Sequence, residues 1–190
     1  MHPSLRIGTG YDFRNTAASG LDTPSLAAMS EPGAQRATRF DSHLLPQGPR
    51  TAVLDPWRAA LAGSGRDPQD YRVGIIRSCL VTDDVERDWP PVRAADRYRG
   101  KVYRSFTPGT GAGGGGVAAN TDEARIPQTW VVGNADHCVA ELARFIREYG
   151  ITDLVTWAMP PGMRPERMNG SLERFFRNVV PRLKAAVAAF

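Results

Sequence analysis

Two periods of apolar and polar positions divide this chain. Leu5-Arg6-Ile7-Gly8-Thr9-Gly10-Tyr11-Asp12-Phe13 alternates apolar with polar residues and reads as a first strand, weakened by its glycines. Leu26 to Met29 is a short uncharged run that suits a strand covered on both faces. Tyr71 to Val81 is the strongest strand pattern, and Ile151 to Met159 is a further strand stopped by Pro160-Pro161-Gly162. Strand candidates are therefore 5–13, 25–29, 72–81 and 152–158, with His43-Leu44-Leu45 a short strand or extended turn and Trp130-Val131-Val132 a lead-in to its helix.

Helical spacing fills the intervals. Val53, Leu54, Trp57 and Leu61 share one face of a helix that Gly63-Ser64-Gly65 ends. Asp83-Asp84 is suited to cap a helix reaching about Phe106, with a break expected at Pro90-Pro91. Asn134 caps a helix with Cys138, Val139, Leu142, Phe145 and Ile146 on one face, closed by Gly150. A last helix from about Pro165 carries Met168, Leu172, Phe175, Phe176 and Val179. Strands separated by helices predict an α/β fold with parallel strands.

Between the second and third apolar runs, Ser30 is a good N-cap, Glu31 complements the helix dipole and Pro32 fits a first turn. Gly33 leaves the backbone open to close approach. This turn is either an ordinary capped helix or an anion site built from free N–H groups. The glycine-rich stretch 107–121, with Gly113 to Gly116 in a row, lacks the Lys-Ser/Thr of a phosphate loop and reads as a flexible surface loop.

Composition bounds the partners. At 190 residues with 42% hydrophobic and 23% charged residues, one globular domain over 1–190 is expected. The net charge is +4, but the 24 Lys and Arg residues, all arginine except Lys101 and Lys184, are interleaved with acids and form no basic stripe. That argues against a nucleic-acid partner. Cys79 and Cys138 are far apart, with no CxxC and no apolar leader, as expected of buried thiols in a cytoplasmic protein. No run approaches the length of a membrane span.

Candidate chemistry is sparse. His2, His43 and His137 are the histidines; His43 reads as packing or loop and His137 as helix surface. No His, Cys, Asp or Glu set has metal-ligand spacing, and neither GxSxG nor HExxH occurs. Catalytic residues are not nominated.

The segments Trp130-Val131-Val132-Gly133, Gly150-Ile151-Thr152-Asp153-Leu154, Pro161-Gly162-Met163, Ser171-Leu172-Glu173-Arg174-Phe175 and Val179-Val180-Pro181-Arg182-Leu183 carry a resemblance. In order and spacing they resemble the closing section of the bacterial luciferase-like monooxygenases, flavin- or deazaflavin-dependent oxidoreductases on a TIM barrel. Residues 25–40 are similar to that family's phosphate-binding turn, and 5–15 to its first barrel strand. A TIM barrel needs eight strands and about 250 residues. The resemblance therefore implies an internally deleted form: a first-strand-like segment (1–15) joined to a C-terminal half-barrel (24–183), a partial TIM-barrel fold with fewer than eight strands.

By that resemblance the cofactor is reduced FMN, or alternatively coenzyme F420. Ser30 would bond the cofactor phosphate, Gly33 would present an N–H one turn on, and Met29 would set the strand end. Relatives carry a hydroxyl residue where Gly33 stands. Tyr11, Phe13 and Trp157, at strand C-terminal ends, would line the flavin or substrate pocket or form plain barrel core. The implied activity is monooxygenation of a small-molecule substrate, completed through a homo-oligomer or a complementing chain. The competing reading is an inert half-barrel that pairs through its sheet edges.

Overall fold

In a computed structural model of the chain, the described residues are 5–9, 51–106, 126–127, 129–156 and 159–188. The expected strands at 25–29 and 43–45, and the glycine-rich stretch 107–121, lie outside them. In chain order the elements are β1 (Arg6–Thr9), α1 (Thr51–Gly63), β2 (Gly74–Ile76), β3 (Ser78–Val81), α2 (Val85–Phe106), β4 (Trp130–Gly133), α3 (Ala135–Tyr149), β5 (Asp153–Thr156), α4 (Pro165–Arg174) and α5 (Val180–Ala188). A 3₁₀ turn at Pro68–Asp70 precedes β2, and a π-helical segment at Phe175–Val179 joins α4 to α5. Every strand pairing is parallel. The chain divides into two compact units, Met1–Ile76 with Arg144–Thr156 and Arg77–Ala143 with Trp157–Phe190.

The first unit is built on the sheet order β1-β5-β2. Leu54, Trp57 and Leu61 present one fully buried stripe of α1, as their spacing predicts. Ile75 and Leu154, which face each other in the β2–β5 ladder, are buried with them. Just before β5, the Thr152 hydroxyl accepts the Val73 N–H at 2.8 Å and donates to Asp153 Oδ2 at 2.8 Å. Asp153 in turn receives Arg72 Nε at 2.7 Å and Nη2 at 3.1 Å, a two-point pairing that satisfies a nearly buried carboxylate. At the end of α3, Gly150 has φ +63° and Ile151 N–H returns to Ile146 O at 3.0 Å, the glycine stop expected there. Arg58 Nη2 donates to Tyr149 O at 2.6 Å, setting a cation at the negative end of that helix.

In the second unit β3 pairs with β4 in the register Ser78↔Trp130 to Val81↔Gly133. Leu80, Trp89, Val92, Trp130, Val132 and Met168 form its apolar cluster, with the Trp89 and Trp130 rings edge to face at 5.3 Å. Cys79 and Cys138 are free and buried, as expected.

Four expectations change. The single strand 72–81 is two strands: β2 joins β5 and β3 joins β4, and the change of partner falls at Arg77. Trp130–Gly133 is a full four-residue strand, not a lead-in, because all four residues are buried in a ladder with β3. Helix α2 runs through Pro90 and Pro91 without a break. Two ladder bonds are lost there, but Trp89 and Val92 anchor that turn in the apolar cluster. Phe176 is 41% exposed and does not share the buried face. The wider π turn holds Phe175, Val179 and Leu183 on one side at four-residue spacing and rotates Phe176 outward.

Candidate functional site

The residues nominated for cofactor contact, Met29, Ser30 and Gly33, lie outside the described residues, as do Tyr11, Phe13, Trp157 and His43. What can be built from the described residues is the C-terminal end of the parallel strands, where barrel enzymes assemble their sites from the strand-to-helix connections.

In the second unit that end begins at Thr82. Its N–H donates to Gly133 O at 2.8 Å, extending the β3–β4 ladder by one step. The Thr82 side chain is buried; its hydroxyl donates to Asp88 Oδ2 at 2.5 Å and accepts the Asp84 N–H at 3.0 Å. Asp84 is the N-cap of α2, with Oδ1 accepting the Arg87 N–H at 3.0 Å. Arg87 donates to Asp88 from Nε at 2.7 Å and Nη2 at 2.9 Å. The Arg87 guanidinium, followed by the Thr82 hydroxyl, holds the Asp88 carboxyl down at about 2. The whole connection is a closed lock of one hydroxyl, two carboxylates and one guanidinium.

The β4–α3 connection is shorter. Asn134 Oδ1 accepts the His137 N–H at 2.9 Å, as the sequence pattern predicts. His137 is exposed, as its helical position suggested. Its ring lies over the strand end, where a Cβ on Gly133 would come within 2.7 Å of Cδ2. Asp136, in the first turn of α3, accepts Arg182 Nη2 at 2.5 Å. Both helix starts are thus stoppered by their own side chains, and neither offers an open phosphate cradle. Among the described residues no group of three or more His, Cys, Asp or Glu could hold a metal ion.

Helix α4 reaches back to the same strand. Ser171 Oγ accepts the Val81 N–H at 2.8 Å, while Arg174 Nε and Nη2 donate to Val81 O at 3.0 and 2.9 Å. Both backbone groups of Val81 that face away from β4 are therefore satisfied by side chains. Sequence pattern alone missed this clamp. Its signal is a serine inside the buried stripe Met168, Ser171, Phe175, with an arginine three residues on.

In the first unit the strand end is Thr156, buried, with a hydroxyl that has no hydrogen-bond partner among the described residues. It lies opposite Thr9 in the β1–β5 ladder. An unpaired buried hydroxyl is costly by itself, and at a strand's C-terminal end it suits a ligand with a polar edge.

Comparison with solved structures places this arrangement. The chain is similar to the monooxygenase RslO1 from Streptomyces bottropensis, with TM-score 0.58 and 18% identity over 80% of this chain and 45% of that one. It is also similar to the oxygenating constituent of 3,6-diketocamphane monooxygenase from Pseudomonas putida, a type II Baeyer-Villiger monooxygenase in complex with FMN. There the TM-score is 0.54 at 18% identity, over 80% of this chain and 45% of that one. A third is the long-chain alkane monooxygenase LadA, at TM-score 0.55 and 16% identity over 83% of this chain and 39% of that one. The fold is α/β, a partial TIM barrel with parallel strands alternating with helices. The chain spans less than half the length of these structures. No family model matches it, and no curated protein sequence does. Among the described residues no helix is long and apolar enough to cross a membrane.

Proposed function

We propose that the chain is a single-domain, short form of the luciferase-like flavin-dependent oxidoreductases, a monooxygenase acting on a small molecule with reduced FMN. The observation that carries this reading is the parallel pairing of the first strand, β1, with the last, β5. In a closed (β/α) barrel the first and last strands are neighbours, so a chain that keeps this seam keeps the closing section of a barrel. The three fold neighbours, all named monooxygenases and one of them in complex with FMN, support the class.

The Thr156 hydroxyl gives the cofactor a fitting donor, since it is buried, without a partner among the described residues, and at the C-terminal end of β5. The stoppered starts of α2 and α3 leave the phosphate to the turn at Met29, Ser30 and Gly33, with Ser30 the principal contact. Tyr11, Phe13 and Trp157 line the ring and substrate side of the pocket. The bound flavin supplies the redox chemistry, and the protein positions it and excludes water. Coenzyme F420 is the alternative cofactor, and a second copy or a complementing chain completes the barrel.

A fluorescence titration with FMN, and separately with F420, tests the reading. Saturable quenching by one of them, weakened by Ser30→Ala, is expected. No quenching at high micromolar concentrations of either overturns it. The short span relative to the neighbours favours a second reading, a half-barrel that binds without turnover. That reading expects cofactor quenching with no oxygen consumption when reduced FMN and candidate substrates are supplied.

A further inference from the structure

The second unit carries an open groove of about 710 Å³ beside the connection that leads into α4. One wall is the face of α2 formed by Ala94, Ala95 and Tyr98; the other is the connection that precedes α4, with Met163, Arg164 and Arg167. The first wall is built for contact with a flat or extended apolar body. Two alanines leave a trough, and Tyr98 stands 59% exposed beside it, the most open of the large hydrophobic side chains among the described residues. The volume falls within the roughly 300–1,000 Å³ of small-molecule sites.

The second wall supplies the charge. Arg164 is the N-cap residue of α4 and Arg167 lies in its first turn, with the Arg167 N–H bonded to Arg164 O at 3.1 Å. Both side chains are exposed, and neither has an ion pair or side-chain hydrogen bond among the described residues. Two guanidiniums at the positive end of a helix repel that dipole and each other, and Glu166 between them offsets only part of this. An anion bound between them removes the conflict. Guanidiniums also match carboxylate and phosphate oxygens two at a time.

We propose that this groove binds a small anionic molecule with an apolar body, the anion on Arg164 and Arg167 and the body against Ala94, Ala95 and Tyr98. The inference does not rest on the flavin reading: it is argued from Ala94, Ala95, Tyr98, Arg164 and Arg167 alone. Its ligand need not be the substrate of any redox step. Exposed guanidiniums make the attraction sensitive to salt.

The probe is 2-naphthoate, a carboxylate on a flat ring, titrated calorimetrically into the flavin-free full chain, with methyl 2-naphthoate as its neutral counterpart. Saturable binding of the carboxylate is expected. The ester, and the Arg164→Gln/Arg167→Gln double variant, should each weaken it at least about tenfold. Tyr98→Ala should weaken both probes alike, because it removes only the apolar contact. All three positions are exposed, so circular dichroism should report an unchanged fold. No saturation up to millimolar naphthoate overturns the proposal. So does equal binding of acid and ester, or binding that the arginine variant leaves unchanged.

Discussion

Ile7 on the first strand lies directly opposite Leu154 on the last, and Leu154 faces Ile75 on its other side. One leucine therefore sits at the middle of a three-strand parallel ladder, buried against both neighbours. Leu154→Ala should cost about 3 kcal/mol, the usual range for a fully buried leucine whose surroundings relax only in part. Ile7 is half-buried, so Ile7→Ala should cost roughly a third of that. Urea unfolding curves measure both. If Leu154→Ala leaves the midpoint unchanged, the seam between first and last strands is not packed as described.

The Arg72–Asp153 pair anchors the start of that strand, with Nε at 2.7 Å from Oδ2 and the Asp153 side chain only 7% exposed. A carboxylate so deeply placed needs its partner more than the partner needs it. Arg72→Met should cost about 3 kcal/mol, because it takes a two-point ion pair away from a nearly buried carboxylate. The double change Arg72→Met with Asp153→Leu should recover a large part of the loss. A double variant no more stable than Arg72→Met would show that the pair contributes through its hydrogen-bond geometry to Thr152, not through charge balance.

Much of this was legible in the chain, for physical reasons that also mark where legibility stops. Asp84, Asn134 and Gly150 were readable because capping is a local contract between a side chain or a left-handed glycine and N–H or C=O groups a few residues away. The buried stripe of α3 was readable because Cys138, Leu142, Phe145 and Ile146 repeat at helical spacing. The partner change at Arg77 was not, since an apolar run carries no mark of which strand it pairs with. Continuity through Pro90-Pro91 and the π turn at Phe175 depend on tertiary packing around Trp89, Val92 and Val179. The site is less legible still: Ser171 and Arg174 act on Val81, 90 or more residues away. The residues nominated by resemblance await direct test, Ser30 first.

Asp88 gives a pH dependence with a definite sign. Its carboxyl is held at about 2 against an ordinary 3.8, first by Arg87 and then by Thr82. The folded state thus binds fewer protons than the unfolded chain between these values. The stabilisation is complete above about pH 4 and is lost as pH falls through 2. Because Arg87 is 70% exposed and Asp88 27%, screening keeps it to about 1 kcal/mol or less. Thr82→Val should raise the Asp88 carboxyl toward its ordinary value, read by carbon NMR titration, while Asp88→Asn flattens acid stability across this window. A Thr82→Val titration that does not move would remove the hydroxyl from the lock.

The two thiols should be chemically silent while the protein is folded. Cys79 lies on β3 and Cys138 on α3, 5% and 0% exposed. The hydrogen bond that Cys79 donates to the Cys138 sulfur, then burial, then repulsion from that sulfur push the Cys79 thiol well above its ordinary range. The same contact draws the Cys138 thiol below its ordinary range, so Cys79 is silenced by staying protonated and Cys138 by being shut off from solvent. An aromatic disulfide reagent at neutral pH should therefore label either cysteine no faster than the chain opens, and both at once in denaturant. Labelling of the folded protein should accelerate with each destabilising change, Leu154→Ala included, only so far as opening and not thiol chemistry limits the rate. Rapid labelling of one cysteine in the intact fold would mean that the β3–α3 layer opens locally, without the rest of its unit.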